Sequence, residues 1–214
     1  MTTFIFVRHG QSESNLAQIF TGQNNTELTP LGMRQAERTA EYLKDRHIDV
    51  IYSSDLSRSM HTAEPTAKMH GLEIIPNKAF REINAGDWEG LRYSDLLARY
   101  PESYGKWIND QGCAHPEGGE SVREMARRVS EEVDRLRHLH QGRCVAIFSH
   151  ATPIRAMACL LFGHPIEKLS EIPWAPNASV SVVEYEDDGS HRILQYGYVE
   201  HQGDLTTTIP KGLA

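Results

Sequence analysis

The sequence predicts an α/β protein: a three-layer α/β/α sandwich on a mostly parallel sheet, with a small helical cap inserted at about residues 91–119. Three observations point there. Apolar, β-branched runs break off at polar residues at Arg8-His9, at Ser53-Ser54 and again at Ser149-His150. Each run is followed by a stretch of helical periodicity, the strand, turn and helix order from which parallel sheets are built. The chain's 214 residues, 39% of them hydrophobic, suffice to bury one good core, so residues 1–214 read as a single domain with that insertion.

Phe4 to Val7 is the first strand, uninterrupted in its apolar character. Thr29-Pro30 then opens a helix to about Arg46, because threonine caps free amides, proline suits a first turn, and Ala36, Ala40 and Leu43 recur at helical spacing. Asp49 to Tyr52 is a short strand, followed by a helix from Leu56 to about His70. Leu72 to Ile75 and Ala79 to Arg81 read as brief extended pieces around Pro76, the second leading into Glu82. In the insertion, two short helices span Tyr93 to Arg99 and Glu102 to Asn109; such a segment fits either a cap over a site or a surface excursion. The nearby aromatics Trp88, Tyr93, Tyr104 and Trp107 fit a substrate cleft and the cap's own core equally well.

Ser121-x-x-Glu124 is a capping box for a helix to about Leu139, with Val122, Met125, Val129, Val133 and Leu136 on its inner face. Val145 to Phe148 is a buried strand and Pro153 to Phe162 a helix. Ser179 to Tyr185 and His191 to Tyr196 alternate about Asp187-Asp188-Gly189 as a hairpin, and the last dozen residues read as a loose tail.

The formal net charge of −7, with no cluster of lysine and arginine, excludes a nucleic-acid partner. No basic segment precedes a long apolar one near the start and no stretch approaches the roughly twenty apolar residues of a membrane span, so no membrane partner is expected. Cys113, Cys144 and Cys159 are odd in number and lack Cys-x-x-Cys spacing, which fits reduced thiols in the cytoplasm. The histidines show no metal-ligand spacing, so neither a metal nor another cofactor is expected. A homodimer is compatible with the sequence, which leaves the oligomeric state open.

Two arginines, Arg8 and Arg58, two histidines, His9 and His150, and the carboxylate of Glu82 all fall at strand ends or strand-to-helix junctions, so one sheet edge can gather them. Such a set suits phosphoryl transfer. Guanidinium forks match phosphoryl oxygens, and a neutral imidazole can attack phosphorus and split one displacement into two. The partner this chemistry calls for is a small phosphorylated substrate.

The sequence resembles the histidine phosphatase (phosphoglycerate mutase-like) superfamily. The resemblance is carried by Arg8-His9-Gly10-Gln11-Ser12-x-x-Asn15, Leu28-Thr29-x-x-Gly32, Ser53-Ser54-Asp55-Leu56-Ser57-Arg58 with Thr62-Ala63, Arg81-Glu82 through Gly90, Pro116 through Ser121, Ser149-His150, and Asn177-Ala178-Ser179. It implies that His9 is the nucleophile, that Arg8 and Asn15 hold phosphoryl oxygens, that Arg58 is a second clamp and His150 a third positive partner, and that Glu82 is the proton donor. It also puts Ala151 at the phosphate, where relatives usually have glycine, and adds one antiparallel strand to the sheet. Alanine suits that position if its backbone is helical. Gln23 and Asn25 stand where relatives often have tryptophan and aspartate, which bears on substrate contacts. The implied activity is hydrolysis of a small phosphomonoester through a phosphohistidine. A cofactor-dependent phosphoglycerate mutase is the alternative, disfavoured because Tyr104 to Asn109 lacks the paired arginines of those enzymes. A non-catalytic phosphate-recognising module is a third reading, against which the intact His9, Glu82 and His150 count.

Overall fold

A computed structural model describes residues 1–208. Its sheet has six strands: β1 (Thr2–Arg8), β2 (Val50–Ser53), β3 (Ile74–Pro76), β4 (Cys144–Ser149), β5 (Val180–Tyr185) and β6 (His191–Tyr198). They lie in the order β3-β2-β4-β1-β5-β6. β5 pairs antiparallel with both neighbours, so it alone runs against the rest, as the hairpin to β6 requires. The turn of that hairpin is closed at Gly189, whose φ of +90° a side chain would strain.

The register decides where the polar residues emerge. Arg8 lies opposite Ser149, and Ser53 opposite Phe148. The ladder runs one residue further, with His9 donating its amide to Ser149 (3.0 Å) and Ser54 to Phe148 (2.9 Å). The carboxyl ends of β1, β2 and β4 therefore finish level, and His9, Ser54 and His150 leave the sheet side by side.

Alternation along the central strands builds the layers. Phe4, Phe6, Val145 and Ile147 face α6 (Val122–Leu139) and α7 (Ala151–Leu161); Ile5, Val7, Ala146 and Phe148 face α2 (Pro30–Leu43) and α3 (Ser57–His70). These side chains are almost entirely buried, so Phe148→Ala would cost about 3–5 kcal/mol through lost contacts and a cavity. The helix starts follow the sequence: Thr29 Oγ1 accepts from the Gly32 amide, and Ser121 and Glu124 cap α6 reciprocally. Asn25 serves α3 in the same way, its side chain accepting from the Ser57 amide at 3.0 Å.

Three details differ from expectation. Ala79 to Arg81 is not extended, because Asn77 accepts from the Ala79 amide and closes a 3-10 turn over Lys78–Phe80. A short helix α1 (Glu13–Ala17) follows β1, capped by Ser12 and Asn15. The expected loose tail, residues 203–214, begins inside a docked 3-10 turn, Glu200–Leu205, where the carbonyl of buried Leu205 accepts from Gln35 Nε2 at 2.7 Å; residues 209–214 of that tail lie outside the described residues.

The insertion forms α4 (Tyr93–Arg99) and α5 (Pro101–Asn109), then a turn at Gln111–Cys113. Trp88 and Tyr104 are core, packed edge to face at 5.3 Å. Phe20 reaches in from the loop after α1 and meets Trp107 at 5.1 Å and Tyr93 at 5.8 Å. Among the described residues no helix is long and apolar enough to cross a membrane.

Candidate active site

A pocket of about 110 Å³ opens at the carboxyl ends of β1 and β4, beneath the insertion. His9 stands on its wall, only 4% exposed. Its Nδ1 lies 2.7 Å from Gly10 O, and a carbonyl can only accept, so Nδ1 carries the proton and Nε2 keeps its lone pair. Burial, then Arg58 and Arg8, hold this imidazole well below the ordinary histidine range and therefore neutral. Gly10 is needed where it is, since a methyl there would sit 2.5 Å from Gly32 O, and one on Gly32 would sit 2.1 Å from Gln11 O. These two glycines let the loop after β1 lie directly on the first turn of α2.

Arg8 and Arg58 flank the pocket as buried guanidiniums. Burial pushes Arg58 down to about 10, which leaves it charged at neutral pH, and it lowers Arg8 as well. Arg58 donates through Nη1 to Asn24 O (2.9 Å) and through Nη2 to Gly22 O (2.8 Å), so the loop after Phe20 aims its fork. Arg8 Nη1 donates to Ala175 O at 2.5 Å, while its buried Nε has no partner among the described residues. Asn15 Oδ1 accepts from Asn177 Nδ2 (3.1 Å) and from the Ser12 amide (3.1 Å). Its oxygen thus committed, Asn15 presents its amide donors to the pocket it lines.

His150 lies beneath His9, fully buried, with Nε2 2.8 Å from Ser54 Oγ. Burial and Arg58 hold it too well below the ordinary range. The protein's own groups therefore oppose charge on it, and a dianionic phosphoryl group nearby is what would favour its proton. Ala151 follows as the first residue of α7, so its backbone is helical and alanine fits. Among the described residues Glu82 is the single carboxylate on the pocket wall. Its oxygens accept from the Ile83 amide (2.8 Å) and the Thr152 amide (3.3 Å), which pins the side chain against the start of α7. Other nearby carboxylates are engaged elsewhere: Glu89 accepts from the Gln23 and Ala85 amides, and Glu120 pairs with Arg128.

Six of the seven residues singled out from the sequence, Arg8, His9, Asn15, Arg58, Glu82 and Ala151, line this pocket, and the seventh, His150, is fully buried against His9, ring centroids 5.1 Å apart. Glu82 arrives from the 3-10 turn and not from a strand. Gln23 is a brace, bonded to Glu89, Arg81 and the Glu82 carbonyl. Sequence reasoning gave no role to Ser54, Thr152, Trp174 or Asn177; the last carried a signal, as part of a quoted motif. The cap aromatics divide: Tyr93 and Trp107 line the pocket, while Trp88 and Tyr104 do not. Among the described residues no three His, Cys, Asp or Glu side chains are grouped to hold a metal ion.

Known proteins resemble this chain over nearly its whole length. Residues 4–197 match the histidine phosphatase superfamily (branch 1). Phosphoserine phosphatase 1 of Hydrogenobacter thermophilus is 32% identical over 216 residues, spanning 100% of both chains. The solved structure of Bacillus stearothermophilus YhfR superposes with a TM-score of 0.90 at 25% identity, covering 94% of this chain and 99% of that one. A mycobacterial glucosyl-3-phosphoglycerate phosphatase, Rv2419c, in complex with VO3, gives a TM-score of 0.83 at 29% identity over 91% of this chain and 98% of its own.

Proposed function

The chain belongs to the histidine phosphatase superfamily (branch 1), and from that membership we propose that it hydrolyses a small phosphomonoester by way of a phosphohistidine at His9. It is a phosphoric monoester hydrolase of an α/β fold, with phosphatases among its relatives. The observation that carries the proposed route is the 2.7 Å contact between His9 Nδ1 and Gly10 O, which fixes the tautomer with a free Nε2. An imidazole held in that tautomer, and held neutral by burial, is a nucleophile at physiological pH.

In the proposed mechanism Nε2 attacks phosphorus in line, and Arg8, Arg58 and Asn15 receive the equatorial oxygens. The N–H of Ala151 at the start of α7 adds a donor, aided by the helix dipole. Glu82 gives its proton to the departing alkoxide, then takes one from the water that attacks the phosphohistidine. His150 donates to a phosphoryl oxygen once the phosphate's charge favours its protonation. Fixed positive groups supply the electrostatic stabilisation that a metal provides elsewhere, so the reaction is proposed to be metal-independent. The three free thiols support a reducing, cytoplasmic location, and residues 1–214 are proposed to act as one domain whose insertion covers the pocket.

The test is phosphate release from an alkyl phosphate in ¹⁸O-labelled water with EDTA present. Hydrolysis puts one labelled oxygen into the phosphate released; a mutase would return unlabelled phosphate to the alcohol as an isomer. A requirement for added metal would overturn the proposed chemistry.

A further inference from the structure

We infer that the pocket beyond the phosphoryl site is built for an uncharged, ring-bearing alcohol, so that the substrates are phosphomonoesters of neutral ring alcohols and not of amino or carboxylic acids. This rests on the phosphatase reading above and names its substrate class.

Four aromatic side chains, Phe20, Tyr93, Trp107 and Trp174, share the pocket wall with the phosphate clamps. They come from three separate parts of the chain and each is held in place. Phe20 is fixed against Tyr93 and Trp107 by edge-to-face contacts. Trp174 lies over the Arg155 guanidinium, 4.3 Å from carbon to ring centroid. Arg155 is itself locked: Nε donates to Ile172 O at 2.6 Å, Nη2 to Ser170 O at 3.3 Å, and Nη1 to Gln111 Oε1. With three of its five N–H groups committed, Trp174 over its face and no place on the pocket wall, Arg155 orients the indole from behind. Burial keeps the Tyr93 hydroxyl strongly resistant to ionisation, so that wall carries no charge.

Charge points the same way. Among the described residues lining the pocket, the formal cations are Arg8 and Arg58 and the one anion is Glu82. With Glu82 protonated for its role as the acid, the two guanidiniums are matched by the nearly two negative charges that a phosphomonoester brings. A carboxylate on the alcohol would find no further cation among the described residues of the wall, and burying it there unpaired is costly. The polar side chains of Gln11, Thr21 and Thr207 on the wall are neutral and suit hydroxyls. Flat apolar faces with neutral hydrogen-bonding groups at the rim stack rings and read hydroxyls.

The experiment compares kcat/KM for benzyl phosphate, ethyl phosphate and O-phosphoserine, with the full-length protein. Ring stacking and burial should favour benzyl over ethyl phosphate by about tenfold or more, with phosphoserine no better than ethyl phosphate. The benzyl-to-ethyl ratio should fall below about threefold in Trp174→Leu, whose side chain is only partly buried, and in Tyr93→Leu. A ratio near one in the wild type, a ratio unchanged in both variants, or phosphoserine as the best of the three would overturn the inference. Absence of phosphate release from every ester would instead overturn the phosphatase reading, and the inference with it.

Discussion

The imidazole rings of His9 and His150 meet edge to face, with centroids 5.1 Å apart and planes inclined by 61°. Neither ring takes a proton easily, because burial opposes charge on both and Arg58 adds to it. The pair therefore links stability to pH. In the unfolded chain each ring protonates as pH falls through about 6.5, whereas the folded chain resists until well below that value. Their contribution is complete above the ordinary histidine value and is lost as pH falls beneath it, with a slope of up to about 1.4 kcal/mol per pH unit for each ring. Urea melts across that window should show His9→Asn and His150→Asn each losing stability less steeply than wild type as pH falls. Identical slopes for all three would contradict the buried, neutral assignment.

Arg58 joins two jobs, since its fork faces the pocket while Nη1 and Nη2 hold the carbonyls of Asn24 and Gly22. Arg58→Ala should lower kcat/KM by roughly 10²–10³, the usual loss for a preorganised donor in a desolvated site. Arg58→Lys should recover little, because an ammonium cannot reproduce the planar fork. Steady-state kinetics of the two variants test this, and near-wild-type turnover with lysine would remove Arg58 from the phosphate.

Asn177 acts through Asn15. Its Nδ2 donates to Asn15 Oδ1 and to His9 O, both at 3.1 Å, so it orients the Asn15 amide. Asn177→Ala should cost about 1–1.5 kcal/mol in transition-state binding, or about tenfold in kcat/KM. Asn15→Ala in the same background should then add little, because the two act as a unit. Full additivity in the double-mutant cycle would show that they act separately.

The parts of the site that the sequence disclosed are those that end strands. Arg8, His9 and His150 were legible because an apolar run that stops at a charge has to deliver it to the sheet edge, and Arg58 because it opens a helix just after such a stop. Glu82 was found through its motif, although the segment before it is a 3-10 turn set by Asn77 and not a strand. Ser54 and Asn177 were visible only as members of motifs and Trp174 not at all, since their roles come from contacts across 96, 162 and 19 positions, with His150, Asn15 and Arg155. No periodicity encodes such approaches. The same holds for Gly10 and Gly32, whose motifs are visible while their contact is not. The neutrality of His150 is likewise a product of packing, which sequence does not display.

The central claim is that His9 is the phosphoryl acceptor and Glu82 the proton donor. The most direct measurement is rapid acid-free quenching of Glu82→Gln during reaction with p-nitrophenyl phosphate, followed by mass spectrometry of the modified peptide. The activated ester needs little acid help to depart, whereas the phosphohistidine still needs a base for its hydrolysis. A phosphoryl group, stable in base and labile in acid, should accumulate on His9 in that variant and be absent when His9→Ala is added. Turnover with no phosphate on His9, or phosphate found on another residue, would contradict it.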